Sequence, residues 1–201
     1  MTAVGIVGAG AGAAAAAFAV DRAALDANVT VLEKSGGLCG RAATRRYGDL
    51  TYDYGANYLK ADDERVVELV TETLDDAGLV DVTEPVYTFD ADGEVAPGRD
   101  ADEHKWSYRR GLTQIAKRLF GRTDAEVHRR TRVEAVRRVG GTADAGGGRW
   151  ELDDADGEAW GPFDILLLNP PAPQTAALLR EAAWDDPLRD RLAAAVGAVD
   201  F

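Results

Sequence analysis

The 201-residue chain carries 35 acidic and 23 basic side chains, a formal net charge of -12, and 46% hydrophobic residues. One large or two small globular domains fit that size, and an acidic surface weighs against binding nucleic acid or anionic membranes. The single cysteine, Cys39, excludes an intramolecular disulfide framework, and with only His104 and His128 beside it no Cys/His zinc site of the usual kind can be built.

Two serines, Ser35 and Ser107, both lie outside a G-x-S-x-G setting, so a serine-hydrolase reading is poor. A reducing, cytoplasmic interior is the simplest compartment. Only four of the basic residues are lysines, and Asp outnumbers Glu. Well-hydrated carboxylates with little lysine suit a high-salt cytoplasm, and a salt-adapted source is expected.

Met1–Val20 has no charged side chain and ends in an alanine run, but it lacks a positive n-region and is too glycine-punctuated for a transmembrane span. Its better reading is structural. Ala3–Val7 has the length of a buried strand, Gly8-Ala9-Gly10-Ala11-Gly12-Ala13 forms a turn, Ala14–Leu25 reads as a helix, and Val29–Leu32 is a second strand ending at Glu33. That order is the setting in which a G-x-G-x-x-[GA] run marks a dinucleotide site. Gly8 permits the tight turn, Gly10 lets backbone approach a diphosphate, and Ala13 lets the helix pack closely on the sheet. The helix N-terminus offers N–H groups to phosphate, and Glu33 is placed to accept from ribose hydroxyls.

Residues 34–46 supply small residues and arginines directly after that acid, and Arg41 could reach a phosphate oxygen. Read alone, the segment could equally be a basic surface loop. Tyr52–Tyr58 reads as a strand broken at Gly55, where a planar group could approach. Asp62–Ala77 has the pattern of an amphipathic helix, capped by Asp62 and Asp63 and stopped by Gly78. Val86–Phe89 and Glu94–Val95 flank a hairpin turn, and Trp106 and Tyr108 share one face of a strand. Gly111–Phe120 reads as a helix with Leu112, Ile115, Ala116 and Leu119 inward.

Val127–Val139 alternates as a strand whose arginines form a solvated face. Thr142–Gly148 is a loop, Trp150–Leu152 a strand, and Asp153–Gly157 a turn without the glutamate spacing of a calcium loop. Phe163–Leu168 is a continuous apolar run, as for a strand buried on both faces, and Gln174–Ala183 begins a helix.

These residues resemble the flavin amine-oxidase superfamily, in particular its renalase-like FAD-dependent oxidoreductases. The resemblance rests on V-G-I-V-G-A-G-A-G-A at 4–13, V-L-E-K at 31–34, G-L-C-G-R-A-A-T-R-R at 37–46 and Y-D-Y-G-A-N-Y-L at 52–59. It continues with G-L-T-Q-I-A-K-R-L at 111–119, R-V-E-A-V at 132–136 and F-D-I-L-L-L-N-P-P-A-P-Q-T-A-A-L-L at 163–179.

The resemblance implies an α/β chain: a Rossmann-like FAD/NAD(P)-binding domain, a parallel sheet with a β-meander, over 1–50 and 111–169. It also implies part of an inserted antiparallel substrate domain over 51–110 and 170–201. Gly8, Gly10, Gly12 and Ala13 would hold the FAD diphosphate, Glu33 the adenosine ribose with Lys34 beside it, and Gly40 and Arg41 would close over the phosphates. Val133 would bracket the adenine through its backbone, and Gly55, Ala56 and Asn57 would approach the flavin ring. Tyr58 and the Val86–Tyr108 region would face a small-molecule substrate.

The family reaction passes a hydride from a small amine or reduced nicotinamide to flavin, with oxygen as acceptor; NAD is the alternative cofactor. Cys39 stands where the family has glycine, and its expected role is that of a small buried residue. Family members continue beyond residue 201, so a truncated chain, a split subunit needing a partner, or a diverged shortened homologue is expected, and the partners to look for are a complementary chain or a homo-oligomer.

Overall fold

The computed structural model describes residues 1–83, 87–98, 104–140 and 147–198. Residues 1–40 supply β1 (Thr2–Val7), α1 (Ala11–Arg22) and β2 (Ala27–Glu33). Next come β3 (Thr44–Tyr47), β4 (Leu50–Asp53), β5 (Leu59–Lys60), α2 (Glu64–Glu68), β6 (Leu79–Asp81), β7 (Tyr87–Phe89), β8 (Val95–Pro97) and β9 (Lys105–Tyr108). The chain then forms α3 (Thr113–Phe120), β10 (Glu126–Arg129), β11 (Val133–Val139), β12 (Arg149–Asp154), β13 (Ala159–Phe163), β14 (Ile165–Leu168), α4 (Ala172–Glu181) and α5 (Pro187–Gly197).

Two compact units result: residues 1–40 with 119–201, and residues 41–118. These bounds differ from the division expected at 50, 110 and 169. Residues 170–198 fall in the first unit because α4 leads back to the meander, where the Ala183 N–H donates to Val136 O and Arg138 N–H donates to Ala183 O.

In the first unit, β10, β2, β1 and β14 form a parallel sheet in that order, with Val4 opposite both Val29 and Ile165. One face is covered by α1, whose Ala13, Ala14 and Ala17 are buried; side chains this small let the helix lie close. On the other, the antiparallel meander β11–β12–β13 packs Val133, Val136, Leu152 and Phe163 against Val7 and Leu32. Gly5 belongs to this face: a Cβ there would lie 2.7 Å from the Phe163 ring. Helix α1 starts three residues before the expected Ala14, because the turn at Gly10 is itself its N-terminal boundary.

Two strand expectations in the first unit need correction. Val127–Val139 is not one strand: it breaks at Arg130, whose φ is +65°, into β10 of the parallel sheet and β11 of the meander. The break is held by Arg130 N–H donating to Ser35 O and Thr131 N–H to Glu33 O. Nor is the 163–168 run buried on both faces. Ile165 is 53% and Leu167 36% exposed, because β14 is an edge strand among the described residues, paired only with β1. Leu166 and Leu168 do pack on the core.

The turn between β12 and β13 is organised by Asp154, a buried carboxylate that accepts from the Trp160 indole N–H at 2.9 Å and from Glu158 N–H at 2.9 Å. Those hydrogen bonds, the indole first, hold its carboxyl below the ordinary carboxylate range. Its charged form therefore stabilises the fold above about pH 4, and that stabilisation is lost as pH falls through the lowered folded value. Asp154→Asn should melt below the wild type at neutral pH, the gap closing as pH drops below about 4. A constant gap across the acid range would refute the assignment.

In the second unit, β5, β9 and β6 form one antiparallel sheet, and β3–β4 and β7–β8 are hairpins. Val86, expected to start a strand, lies outside the described residues, as do 99–103 and most of the 142–148 loop. The strand expected over Tyr52–Tyr58 ends at Asp53. The helix expected to Ala77 is also shorter: α2 passes into a π-helical turn at Leu69–Thr73, closed by Leu74 N–H donating to Leu69 O. Its cap is Asp63, which accepts from Arg65 N–H, and Val70 and Leu74 are its buried side chains. The inward face expected of α3 is found, with Leu112, Ile115, Ala116 and Leu119 buried.

Candidate functional site

The glycine turn of the first unit connects β1 to α1. Gly8 has φ +91°, a conformation that side chains resist, and its N–H donates to Leu32 O at 2.8 Å. Gly10 is the N-cap of α1, and that end has no side-chain cap and no acidic residue in its first turn. Gly12 sits within the first turn and Ala13 is fully buried against the sheet. The opening N–H groups of α1, with their positive partial charge, meet no carboxylate from the helix itself.

Glu33, at the end of β2, is only 8% exposed. Its Oε2 accepts from Ala9 N–H and its Oε1 from Ser35 N–H, both at 2.7 Å. The carboxylate thus ties the glycine turn to the residues after β2, and its remaining lone pairs can still accept from hydroxyl groups. Lys34 turns toward α4, donating to Gln174 Oε1 at 3.0 Å.

The segment after Glu33 returns to the turn. Cys39 N–H donates to Ala9 O at 2.9 Å, and Cys39 and Gly10 form a short parallel bridge. Cys39 is 1% exposed, so its expected burial is observed, and it adopts φ +80° without being glycine. Gly40 follows at φ +56°, where a Cβ would stand 3.4 Å from Gly10 Cα. Val133 also belongs to this unit, its side chain buried with Val7 and Leu32 in the core cluster.

Asn169, which the sequence reading did not single out, completes the turn's surroundings. Its carboxamide lies beside Gly10 and Gly12, close enough that a Cβ on either would fall 2.8 Å and 3.0 Å from it. Only the return of β14 alongside β1 reveals that proximity.

Arg41, Gly55, Ala56 and Asn57 lie in the second unit and are exposed. The cause of Gly55 is visible within that unit: a Cβ there would stand 2.0 Å from Arg41 O, which also accepts from Ala56 N–H at 3.1 Å. Asp53, inside the same motif, accepts from Leu112 N–H at 3.0 Å and from Thr44 Oγ1 at 2.6 Å, joining β4 to the start of α3. Gly111 has φ +82° and would carry a Cβ 2.2 Å from Thr44. Tyr58 is partly exposed, with the Lys105 ammonium 5.8 Å from its ring.

Residues 6–73 match the family model described as an NAD(P)-binding Rossmann-like domain. The fold is Rossmann-like. Among solved structures, the chain is similar to a putative protoporphyrinogen oxidase from Exiguobacterium sp. 255-15, with TM-score 0.67 and 18% identity over 90% of this chain and 62% of that one. A CLA-producing fatty acid isomerase from P. acnes gives TM-score 0.69 and 14% identity over 94% of this chain and 63% of that one. Putrescine oxidase bound to putrescine gives TM-score 0.61 and 12% identity over 87% of this chain and 59% of that one. The chain therefore spans about six-tenths of the length of these relatives. Among the described residues, no helix is long and apolar enough to cross a membrane.

Proposed function

We propose that this chain binds FAD at the glycine turn of its first unit and serves a flavin-dependent oxidoreductase of amine-oxidase, renalase-like type. The observation that carries the reading is the pairing of an uncapped α1 N-terminus with the buried, backbone-anchored Glu33 carboxylate. The first suits a diphosphate, the second the ribose hydroxyls beside it. Bound FAD would supply the hydride acceptor, with oxygen as the terminal acceptor.

The residues of this chain bind and orient. Gly8 and Gly10 keep the turn low, Glu33 fixes the ribose, and Lys34 adds a positive charge beside it. Gly40 and Arg41 are proposed to close over the phosphates, Val133 to bracket the adenine, and Gly55, Ala56 and Asn57 to approach the flavin. The return of residues 39–40 to the glycine turn supports FAD over NAD, since it gives a longer cofactor a second wall. The similarity to a putrescine-bound oxidase supports a small amine as substrate, with reduced nicotinamide as the alternative donor. A cytoplasmic, salt-adapted source remains the proposal drawn from composition.

A second reading is favoured by the exposed apolar edge at Ile165 and Leu167: a dinucleotide-binding half that turns over only with a complementary chain or a second copy. Calorimetry with FAD, ADP and NAD, followed by absorption of the loaded protein, tests both readings. FAD bound more tightly than NAD, with blue-light flavin absorption bleached by an amine or NADH, is the expected result. Flavin binding without bleaching supports the second reading, and no binding of FAD or ADP refutes the proposal.

A further inference from the structure

We propose that Asn169 is a further residue of the dinucleotide site, its side-chain amide donating to the diphosphate over the glycine turn; this rests on the reading just given. Because β14 runs parallel to β1 with Leu168 opposite Val7, the next residue emerges beside Gly8. Asn169 N–H donates to Val7 O at 2.9 Å, which extends the pairing by one residue and fixes the backbone there. Pro170 and Pro171 follow at once, and Thr175 Oγ1 donates to Pro170 O at 2.9 Å, so the segment entering α4 is held as well.

The side chain then lies along the turn. A Cβ on Gly8 would meet Asn169 backbone C at 3.4 Å, one on Gly10 would meet Oδ1 at 2.8 Å, and one on Gly12 would meet Nδ2 at 3.0 Å. No hydrogen bond among the described residues engages this carboxamide. The protein thus holds a neutral N–H donor group against the first turn of α1, where the backbone donors also sit. A neutral amide adds a donor for phosphate oxygen and brings no repelling charge. A carboxylate at 169 would do the opposite: it would complement the helix dipole of the empty protein and repel a diphosphate.

That opposition defines the test. Binding of ADP and of adenosine is measured by calorimetry for wild type, Asn169→Ala, Asn169→Asp and Glu33→Ala, with thermal melts of each protein alone. Asn169→Ala should weaken ADP about 3- to 10-fold and Asn169→Asp about 10- to 100-fold, with adenosine unchanged in both. Asn169→Asp without ligand should melt at or above the wild type. Glu33→Ala should weaken both ligands, since it acts on the ribose they share. Unchanged ADP affinity in both Asn169 variants overturns the inference while leaving the FAD reading intact. An equal loss for adenosine overturns it too, since that marks a distorted cleft rather than a lost phosphate contact. A wild type that binds neither ligand overturns the reading and the inference together.

Discussion

Glu33→Ala is expected to lose folding stability and dinucleotide affinity at the same time. The carboxylate accepts from the buried Ala9 N–H and from the N–H of exposed Ser35; alanine strands the first, while water can reach the second. The stranded donor costs about 1–3 kcal/mol and the lost Ser35 bond about 1 kcal/mol more, so a loss of roughly 2–4 kcal/mol in a urea melt is expected. Removing a charged acceptor from the ribose should weaken ADP by about 1.5–3 kcal/mol, or roughly 10- to 150-fold. Glu33→Gln separates the two roles. It retains one acceptor oxygen but turns an NH2 toward a backbone donor, so its stability should fall between wild type and alanine. Should Glu33→Ala melt with the wild type and bind ADP equally well, Glu33 is neither a clamp nor a ribose ligand.

Gly55→Ala should strongly disrupt the second unit. The added carbon would lie 2.0 Å from Arg41 O, a backbone atom that cannot rotate away as a side-chain tip would. Relief requires moving residues 41 or 55 and breaking the Ala56–Arg41 hydrogen bond. Overpacking costs about 1–3 kcal/mol and the bond about 1 kcal/mol more. Gly37→Ala, where no atom lies within 4 Å of the new carbon, is the matched control and should change stability by less than about 0.5 kcal/mol. Limited proteolysis within residues 41–118 and the melting temperature would report the difference; equal behaviour of the two variants would show that the close approach is not retained in solution. The result also bears on the cofactor argument, because a glycine explained by Arg41 needs no flavin to account for it.

The parts of the fold that were legible in sequence are those whose cause is local. Gly8, Gly10 and Ala13 announce a turn and a close-packed helix by spacing alone, and the β-branched run ending at Glu33 announces its strand. The inward face of α3 was readable for the same reason: Leu112, Ile115, Ala116 and Leu119 repeat at helical intervals. What escaped was set by distant partners. Whether I-L-L-L at 165–168 is buried on both faces depends on which strand becomes the sheet edge, and no local pattern encodes that. The break at Arg130 depends on hydrogen bonds to Ser35 and Glu33, about a hundred residues away in sequence. The π-helical turn at Leu69–Thr73 keeps an ordinary amphipathic composition, so composition cannot reveal it. By contrast, α5 carried a signal that went unread: Asp186 caps it and Pro187 opens it, the expected residue types for those places.

Cys39 gives the glycine turn a built-in clock. It is the chain's sole sulfhydryl, lies almost wholly out of solvent, and is tethered through its amide to Ala9 in the turn itself. An alkylating reagent can reach it only when the segment around it opens, so the speed of labelling is expected to report how often the phosphate-binding loop and its neighbours breathe. Any occupant that clamps the loop must slow that count, whether or not it is coloured or turned over.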